Sequence, residues 1–335
     1  MTPRLVRLAP SMLDGLMALS AAAHWNQNEA DWRAMLEFGQ GWGLQVQDEA
    51  GRPRLAASTM VLPYERRFAW VSMVLVLPEW RRQGLAGRLL RVALDHLQRL
   101  GLEAVLDATP AGHPVYQAQG FVDAWHFTRW RLAGRSAPLP ASPGAPDVRR
   151  LRQEDWPAVA DLDAKAFGAS RLPLLQHLAH RLPEAGWVLR QGGELRGYLL
   201  GRDGRTARQL GPLVVASREG APAGLEAVAL LDAAVGTIGT LGALGSPGAV
   251  GPPDRPSMEQ PLVVDVRDGQ TALQDWLSAQ GFAPERPFTR MVLRPQRAPG
   301  GRGAEDLERA PRAEVARRAP GDPALVSLVA GPELG

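Results

Sequence analysis

An arginine- and glycine-rich turn, residues 81–88, has the clearest chemical potential in this sequence. It follows an apolar stretch at residues 73–77 and precedes leucines and alanines at spacings of three and four. This pattern predicts a strand that leads through the turn into an amphipathic helix. The first N–H groups of a helix lack intrahelical partners and carry partial positive charge, so the turn is expected to bind an anion such as a phosphate.

The side chains of the turn fit this role. Gly84 allows the backbone to come close to a ligand. Arg81, Arg82 and Arg88 add positive charge that can pair with phosphate oxygens.

A tyrosine is the second residue that could do chemistry. The sequence predicts a strand over residues 104–108 and a short helix over residues 111–121 that ends at Gly120. Tyr116 lies in this helix, and a phenol hydroxyl can donate a proton to a leaving group. The alternative is an aromatic side chain that only packs the helix.

These features resemble the GNAT N-acetyltransferase superfamily. The spacing R-x-x-G-x-A, met by Arg81, Gly84 and Ala86, is similar to the turn with which these enzymes bind the pyrophosphate of acetyl-CoA. Tyr116, followed by Gly120 and Phe121, matches a second family feature. Residues 24–32 and 121–131 also look like a bacterial tandem subgroup with a divergent second domain, and the resemblance extends from residue 4 to about residue 295.

The resemblance implies acetyl-CoA as the co-substrate, without a metal. It implies an acetyl-CoA-dependent N-acetyltransferase whose acceptor is a small amine or a peptide amine that attacks directly, with the active site in the N-terminal domain. Tyr116 would be catalytic, as the proton donor to the departing thiolate. The backbone of the strand before the turn would pair with the pantetheine arm, and an N–H near Val74 would stabilise the oxyanion. The cofactor-binding residues would be Val74, Val76, Arg81, Arg82, Gln83, Gly84, Leu85, Ala86, Gly87 and Arg88.

The resemblance also indicates an acceptor side, for which we predict five residues: Trp25, Asn26, Gln27, Asp31 and Asp107. An aromatic face, amide groups and carboxylates suit a cationic amine. The sequence is also compatible with structural roles for these residues. Asn26 or Asn28 could cap a helix with Trp25 and Trp32 in the core, and Asp107 could cap the turn that follows it.

The acceptor amine must lose a proton before it attacks, because an alkyl ammonium with a pKa of about 10 is mostly charged at pH 7. His113, Asp107, Asp31 and Glu29 are the candidate bases near the predicted site. Water is a further candidate.

Composition limits the function classes. The chain has 335 residues, enough for two domains with full cores, and contains no cysteine, which excludes a thiolate nucleophile and a disulfide framework. A net charge of +3 does not indicate nucleic-acid binding. No signal-peptide pattern or membrane-spanning run is evident, so we expect a cytoplasmic protein without a membrane partner. Whether it forms a homodimer stays open.

An internal repeat sets the predicted architecture. The pattern Ala-Gln-Gly-Phe followed by Phe-Thr-Arg occurs at residues 118–129 and again, with the same spacing, at residues 279–290. We predict an α/β fold of two tandem GNAT-like domains, each a mixed, mostly antiparallel twisted sheet flanked by helices. The domains would be residues 1–133 and a degenerate copy at residues 147–295, joined by a proline-rich linker at residues 134–146 and followed by a disordered tail at residues 296–335.

The second copy is expected to have lost the chemistry. At its turn, Ser217, Gly220 and Pro222 align with the R-x-x-G-x-A positions, and Leu277 takes the place of the tyrosine. Proline has no N–H to offer a phosphate, and Glu219 adds negative charge. Elsewhere in this copy Asp163, Phe167–Ala169 and Arg171 resemble a recurring segment of the subgroup to which we assign no ligand.

Other functions are consistent with the sequence. The chain could be an acyl-CoA-binding sensor without turnover, although Tyr116 favours catalysis. It could modify other proteins or act as a scaffold through its second half. Its layout is also similar to that of tandem thiol-biosynthesis transferases such as mycothiol synthase, but layout alone does not transfer a substrate.

Overall fold

The computed structural model describes residues 3–48, 50–133, 147–216, 224–244, 260–294 and 319–335. Its strands within these ranges are β1 (Arg4–Arg7), β2 (Gln40–Gln47), β3 (Pro53–Tyr64), β4 (Phe68–Val76), β5 (Glu103–Ala108), β6 (Val122–Leu132), β7 (Val148–Arg150), β8 (Trp187–Gln191), β9 (Glu194–Arg202), β10 (Arg208–Val215), β11 (Leu262–Arg267), β12 (Ala283–Leu293) and β13 (Val326–Leu328). Its α-helices are α1 (Leu13–Ala22), α2 (Glu29–Phe38), α3 (Leu85–Leu100), α4 (His113–Gln117), α5 (Trp156–Phe167), α6 (Leu172–Arg181), α7 (Leu225–Leu244) and α8 (Thr271–Ala279).

The described residues fall into two compact units. The first takes its residues from Met1–Trp125, Phe288–Pro320 and Pro332–Gly335, and the second from His126–Pro287 and Gly321–Gly331. Each unit therefore contains strands from both halves of the sequence.

The first unit contains a mixed sheet with the strand order β1-β2-β3-β4-β5-β12. All neighbours are antiparallel except β4 and β5, which are parallel. The last strand comes from the far end of the sequence, where Thr289–Leu293 pair with residues 104–108 of β5.

Helix α3 buries an apolar stripe against this sheet. Its buried residues recur at spacings of three and four and so share one face: Leu85, Leu89, Leu90, Ala93 and Leu97. They pack in one cluster with Ala57 and Val61 of β3 and with Ala69 and Val71 of β4. Burial of each leucine contributes about 1.5–3 kcal/mol. This packing holds the N-terminus of α3 close to the end of β4, as the sequence predicts.

The second unit repeats this plan. Strands β7, β8, β9 and β10 are joined antiparallel in that order, β10 and β11 are parallel, and β6 adds antiparallel to β11. Helices α7 and α8 pack on this sheet through buried residues such as Leu230, Leu231 and Leu277. The prediction of an α/β fold made of two related domains, each with a mixed and mostly antiparallel sheet, is confirmed.

Strand β13 of the second unit lies between β10 and β11 and has no counterpart among the described strands of the first unit. Residues 319–335, which include this strand, are largely buried. The prediction of a tail that buries little is therefore wrong for residues 319–335, because a short apolar stretch within this proline- and glycine-rich segment pairs with two strands. Residues 295–318 and the predicted linker, residues 134–146, lie outside the described ranges.

The compact units also differ from the predicted domains at their final strands. Both β6 and β12 begin in one unit and end in the other, at Trp125–His126 and at Pro287–Phe288. No helix in the described part of the chain is both long enough and apolar enough to cross a membrane.

Candidate active site

The turn between β4 and α3 has the backbone geometry of an anion cradle. Gly84, the residue before α3, has φ +75°, and Arg82 has φ +59°. Glycine adopts this left-handed conformation without strain. A Cβ atom at Gly84 or Gly87 would meet no other atom within 4 Å, so the space in front of both residues is open.

Six successive N–H groups in this turn are available to a ligand. Within the described residues, the N–H groups of residues 82–87 donate to no acceptor, and the first helical bond runs from the Arg88 N–H to the Gly84 carbonyl at 3.0 Å. The first turn of α3 carries no acidic residue. Partial positive charge at this helix N-terminus is therefore not compensated locally.

The three arginines of the turn are placed differently. Arg81 donates from Nε to the carbonyl of Val76 at 3.1 Å, and Arg88 donates from Nη1 to the carbonyl of Pro3 at 3.0 Å. Arg82 is exposed. None of the three pairs with a carboxylate in the described part of the chain, so their charge is available to an anionic ligand.

Strand β4 has a bulge at Met73 and Val74. Ser58 pairs with Leu75 and Met60 pairs with Ser72, so that Thr59 alone opposes two residues of β4. Met73 has φ +51°, and its carbonyl accepts a hydrogen bond from the Ser58 hydroxyl at 2.8 Å. The bulge turns the backbone at Val74 away from the regular ladder.

The pairing of β4 with β5 ends before this bulge. Their parallel pairing covers only Phe68–Trp70 and Glu103–Val105, although β4 continues to Val76 and β5 to Ala108. Between the separated ends, the described residues place no other strand. The backbone of β4 on this side can therefore pair with an extended ligand.

Tyr116 lies on α4, which follows β5 after a four-residue loop. Its ring contacts Phe121 edge-on, with the ring centroids 6.0 Å apart. A Cβ atom at Gly112 would come within 3.0 Å of this ring. Burial raises the pKa of Tyr116 to about 12, so the hydroxyl is protonated at physiological pH and can donate.

Most of the predicted acceptor residues near the start of α2 are buried, and one of them, Asp31, supports the helix. Asn28 caps α2 by accepting from the Asp31 N–H at 3.2 Å, while the Asp31 carboxylate accepts from the Asn28 N–H at 2.8 Å. Trp32 is fully buried and donates to the Ser20 hydroxyl at 2.9 Å. The capping alternative is thus the one observed for Asn28 and Asp31.

Gln27 differs from its neighbours. It is 4% exposed, and its Oε1 atom has no hydrogen-bond partner among the described residues. The same is true of the hydroxyls of Thr59 and Ser72, which flank the bulge of β4 and which sequence reasoning did not single out. A buried acceptor without a partner costs about 1–3 kcal/mol, which a ligand could recover.

Asp107 is engaged by an arginine from the far end of the chain. Arg290 on β12 donates from Nε and Nη2 to the two carboxylate oxygens, both at 2.9 Å, and the Asp107 side chain has no exposed surface. The guanidinium carbon lies 4.4 Å from the Trp70 ring and 4.1 Å from the Trp125 ring. Asp107 is therefore part of a buried ion pair.

Two other candidate bases also have partners. His113 Nε2 lies 2.8 Å from an oxygen of Asp123. Glu29 forms an exposed ion pair with Arg33, four residues later on α2. Within the described ranges, no cluster of three or more histidine, aspartate or glutamate side chains could hold a metal ion.

The described part of the second unit keeps the glycine before the helix and has an acidic residue in the first turn of that helix. The residue before α7 is Gly224, with φ +94°, and its carbonyl accepts from the Val228 N–H at 3.0 Å, as Gly84 does from Arg88. Gly224 therefore stands directly before α7, as Gly84 stands directly before α3. The predicted alignment of Ser217, Gly220 and Pro222 with the first turn stays a prediction. Residues 217–223 lie outside the described ranges. Glu226 adds negative charge to the first turn of α7.

The tyrosine position of the second copy is apolar, as the sequence predicts. Leu277 on α8 is fully buried in the core. Earlier in the second copy, Asp163 and Arg171 form a buried bidentate ion pair at 3.0 Å, and the Tyr198 hydroxyl donates to Asp163. Burial raises the pKa of Tyr198 well above its ordinary value. This cluster supports the core of the second unit.

Models of known protein families match both halves of the sequence. Residues 18–121 match the model of the "Acetyltransferase (GNAT) family", and residues 159–233 match that of an "Acetyltransferase (GNAT) domain". The chain is a tandem GNAT acetyltransferase. The first match extends from α1 to Phe121 and so includes the turn, the bulge and Tyr116.

Three relatives of this GNAT acetyltransferase span most of its length. It is 25% identical to the "Uncharacterized N-acetyltransferase YitH" of Bacillus subtilis over 216 residues, which are 64% of this chain and 74% of that protein. A putative acetyltransferase from Pyrococcus horikoshii shares the fold with a TM-score of 0.68 at 15% identity, covering 100% of this chain and 96% of the other. A tandem GNAT protein from the clavulanic acid biosynthesis pathway gives a TM-score of 0.59 at 16% identity, covering 88% and 99%.

Proposed function

We propose that this GNAT acetyltransferase is an acetyl-CoA-dependent N-acetyltransferase with one active site, in its first unit. The acceptor is a primary amine that attacks directly. The row of six available N–H groups at residues 82–87, next to the separated ends of β4 and β5, carries this proposal. A pyrophosphate fits such a cradle because several donors and a helix N-terminus converge on it.

The residues around the turn would hold acetyl-CoA, which supplies the activated acyl group as a thioester. Residues 82–87 would donate to the pyrophosphate, and Arg81 and Arg82 would add charge. Val74 and Val76 lie on the part of β4 that β5 leaves unpaired, so their backbone can pair with the pantetheine arm.

The bulge would stabilise developing charge. An N–H group that is turned out of the ladder at Val74 can donate to an oxygen that becomes negative as the amine attacks. The hydrogen bond from Ser58 to the carbonyl of Met73 fixes this conformation in advance. Donors held in place before the reaction need no reorganisation during it.

Tyr116 would act as a hydrogen-bond donor to the departing sulfur. With a pKa of about 12, it is a weaker acid than an ordinary thiol, whose pKa is about 8.5. Complete proton transfer to the thiolate would then be uphill by roughly 5 kcal/mol. A hydrogen bond to the charged sulfur costs no such transfer, and the proton can come from water afterwards.

Gln27 and Ser72 would meet the acceptor. Their buried oxygens have no partner in the described part of the chain, and an ammonium or amine N–H can satisfy both. Trp25 is half-buried and could cover an apolar part of the acceptor. Asp31 and Asp107 take supporting positions in this scheme, because Asn28 and Arg290 already bind their carboxylates.

His113 would accept the proton of the amine. In the tautomer that donates Nε2–H to Asp123, Nδ1 is the proton acceptor. A water chain would serve the same purpose.

Isothermal titration of the full chain with acetyl-CoA tests the cofactor site before any acceptor is known. The wild-type protein should bind one acetyl-CoA per chain. Arg81→Glu should weaken binding at least tenfold, since it removes a charge-assisted contact of about 1.5–3 kcal/mol and adds a repulsive charge. The matched control Arg91→Glu makes the same charge change on an exposed face of α3, outside the turn, and should leave the affinity within about twofold.

The results separate the alternatives. Equal loss in both variants would mean that only net charge matters and would contradict a specific site. Two sites of similar affinity would contradict the assignment to the first unit. Binding without acetyl transfer to any amine in a broad panel would favour the acyl-CoA sensor.

A further inference from the structure

The second unit has a cleft that matches the one between β4 and β5, and this cleft is filled. Its strands β10 and β11 pair in parallel only over Arg208–Leu210 and Leu262–Val264 and then separate. In the first unit the equivalent strands also pair over three residues and separate. Strand β13 lies between the separated ends of β10 and β11.

The backbone of β13 pairs on both sides. Leu328 lies opposite Leu213 of β10 and opposite Val266 of β11, and Val326 lies opposite Val214. Next to this strand, the Val329 N–H donates to the carbonyl of Asp265 at 3.1 Å. The strand therefore satisfies backbone groups that the separation of β10 and β11 would otherwise leave unpaired.

Side chains hold the strand in the same place. Leu328 is fully buried in the core of the second unit. Arg267 donates from Nε to the carbonyl of Val326 at 3.0 Å. A short buried strand with an apolar anchor and two hydrogen-bonded edges opens only when the surrounding sheet opens.

Two glycines allow the segment to come this close. A Cβ atom at Gly211 would lie 2.1 Å from the carbonyl oxygen of Val329, and one at Gly321 would lie 2.1 Å from that of Ala166. Both glycines have positive φ, +144° and +79°. The Asp322 N–H then donates to the carbonyls of Lys165 and Ala166 at 3.0 and 3.1 Å, which ties the start of the segment to the end of α5.

We infer that residues 321–331 are a permanent internal ligand of the second unit. Their peptide strand fills the cleft whose counterpart in the first unit holds no strand among the described residues. The comparison with a cofactor cleft rests on the proposed function, whereas the occupation itself does not. The pantetheine arm of CoA is a flexible chain with two amide groups, and β13 offers backbone amides at the equivalent position between the strands. The second unit is closed to acyl-CoA because its cleft is already filled.

Hydrogen–deuterium exchange on the full chain, with and without saturating acetyl-CoA, tests this inference. Amides of residues 326–329 should exchange as slowly as those of β9, which lies on the other side of β10 in the same sheet, and acetyl-CoA should leave their rates unchanged. Amides of residues 74–87 should exchange at least about tenfold more slowly with acetyl-CoA. Fast exchange at residues 326–329, or exchange that accelerates with acetyl-CoA, would overturn the inference by showing a loose or displaceable segment.

The two proposals fail separately in this experiment. If acetyl-CoA protects no residue of the first unit, the proposed cofactor site is wrong, but the exchange rates at residues 326–329 still decide the role of β13.

Two variants provide a second test of the role of β13. Leu328→Asp places a charge in the core and should release residues 326–329 together with the amides of Leu213 and Val266, whereas Leu325→Asp, three residues earlier and outside the strand, should release neither.

Discussion

Asp107 shows how one arginine can give a carboxylate a structural role in place of a ligand-binding role. The side chain lies at the end of β5, where an aspartate could bind an amine, yet both of its oxygens accept from Arg290. The guanidinium is in turn enclosed by Trp70 and Trp125. A buried carboxylate with such a partner stabilises the fold only while the pair is intact, because either charge left alone in the interior is strongly unfavourable.

Arg290→Met should therefore lower the free energy of unfolding of the full chain by about 3–5 kcal/mol. The matched control is Arg131→Met, which breaks the half-exposed ion pair with Glu285 and should cost no more than about 1 kcal/mol. Urea denaturation followed by fluorescence measures both. Equal losses of stability in the two variants would show that burial does not make the Arg290–Asp107 pair more important for stability than the half-exposed Arg131–Glu285 pair.

The pKa of Tyr116 gives a prediction about pH. Because burial raises this pKa to about 12, the hydroxyl is protonated below that value and loses its proton only as the pH rises through it. Tyr116→Phe should reduce kcat about 10–100-fold by removing a hydrogen bond to a charged sulfur, with little change in KM for acetyl-CoA.

The ratio of wild-type to Tyr116→Phe activity should then stay constant from pH 6 to pH 10. Steady-state kinetics with an acceptor found in an amine screen measures this ratio. A ratio that falls across this range would mean that Tyr116 titrates near neutrality and that its environment in the working enzyme lowers its pKa.

At the scale of elements, the sequence predicts what depends on local pattern. The leucine spacing identifies α3, and the turn before it follows from Gly84 and the arginines. It misses β13, because Val326–Leu328 are too few to show a period and become a strand only by pairing with β10 and β11. It also misses the bulge at Met73, because methionine, unlike glycine or asparagine, gives no sign of a positive φ. It misses the role of Arg290 because its partner, Asp107, lies 183 positions earlier.

The N-terminus of α3 yields a prediction with opposite effects on stability and binding. Ala86→Glu introduces an acidic residue into the first turn of α3, where Glu226 already stands in α7. The carboxylate should interact favourably with the helix dipole and raise stability by about 0.3–1 kcal/mol. It should weaken acetyl-CoA binding about tenfold or more, since it competes with the phosphate for the same donors.

The control for this prediction is Gln98→Glu, which adds the same charge to an exposed position in the last turn of α3. It should leave the affinity unchanged and slightly lower the stability, since the dipole has the opposite sign there. Thermal unfolding and calorimetric titration give the two quantities. Weaker binding in both variants would indicate a long-range charge effect and not competition at the cradle.

At the scale of the whole molecule, the two copies are not independent along the sequence. The first unit needs Thr289–Leu293 to cover β5, and the second needs Phe127–Leu132 to cover β11. Each exchanged strand brings one arginine to a buried aspartate, Arg290 to Asp107 and Arg129 to Asp265. The two Phe-Thr-Arg segments therefore begin the two strand portions that each half of the sequence contributes to the sheet of the other half, so each unit depends on both halves.

Cleavage of the chain between the two copies tests this dependence. A protease site placed within residues 134–146 of the full chain allows cleavage after folding. The two fragments should remain together in gel filtration and keep the acetyl-CoA affinity of the uncut protein, because both units contain strands from each fragment. Expressed alone, residues 1–133 should be unfolded or insoluble, since β5 loses its partner strand and the buried Asp107 loses Arg290. Two fragments that separate and stay folded would show that the sequence halves are complete domains after all.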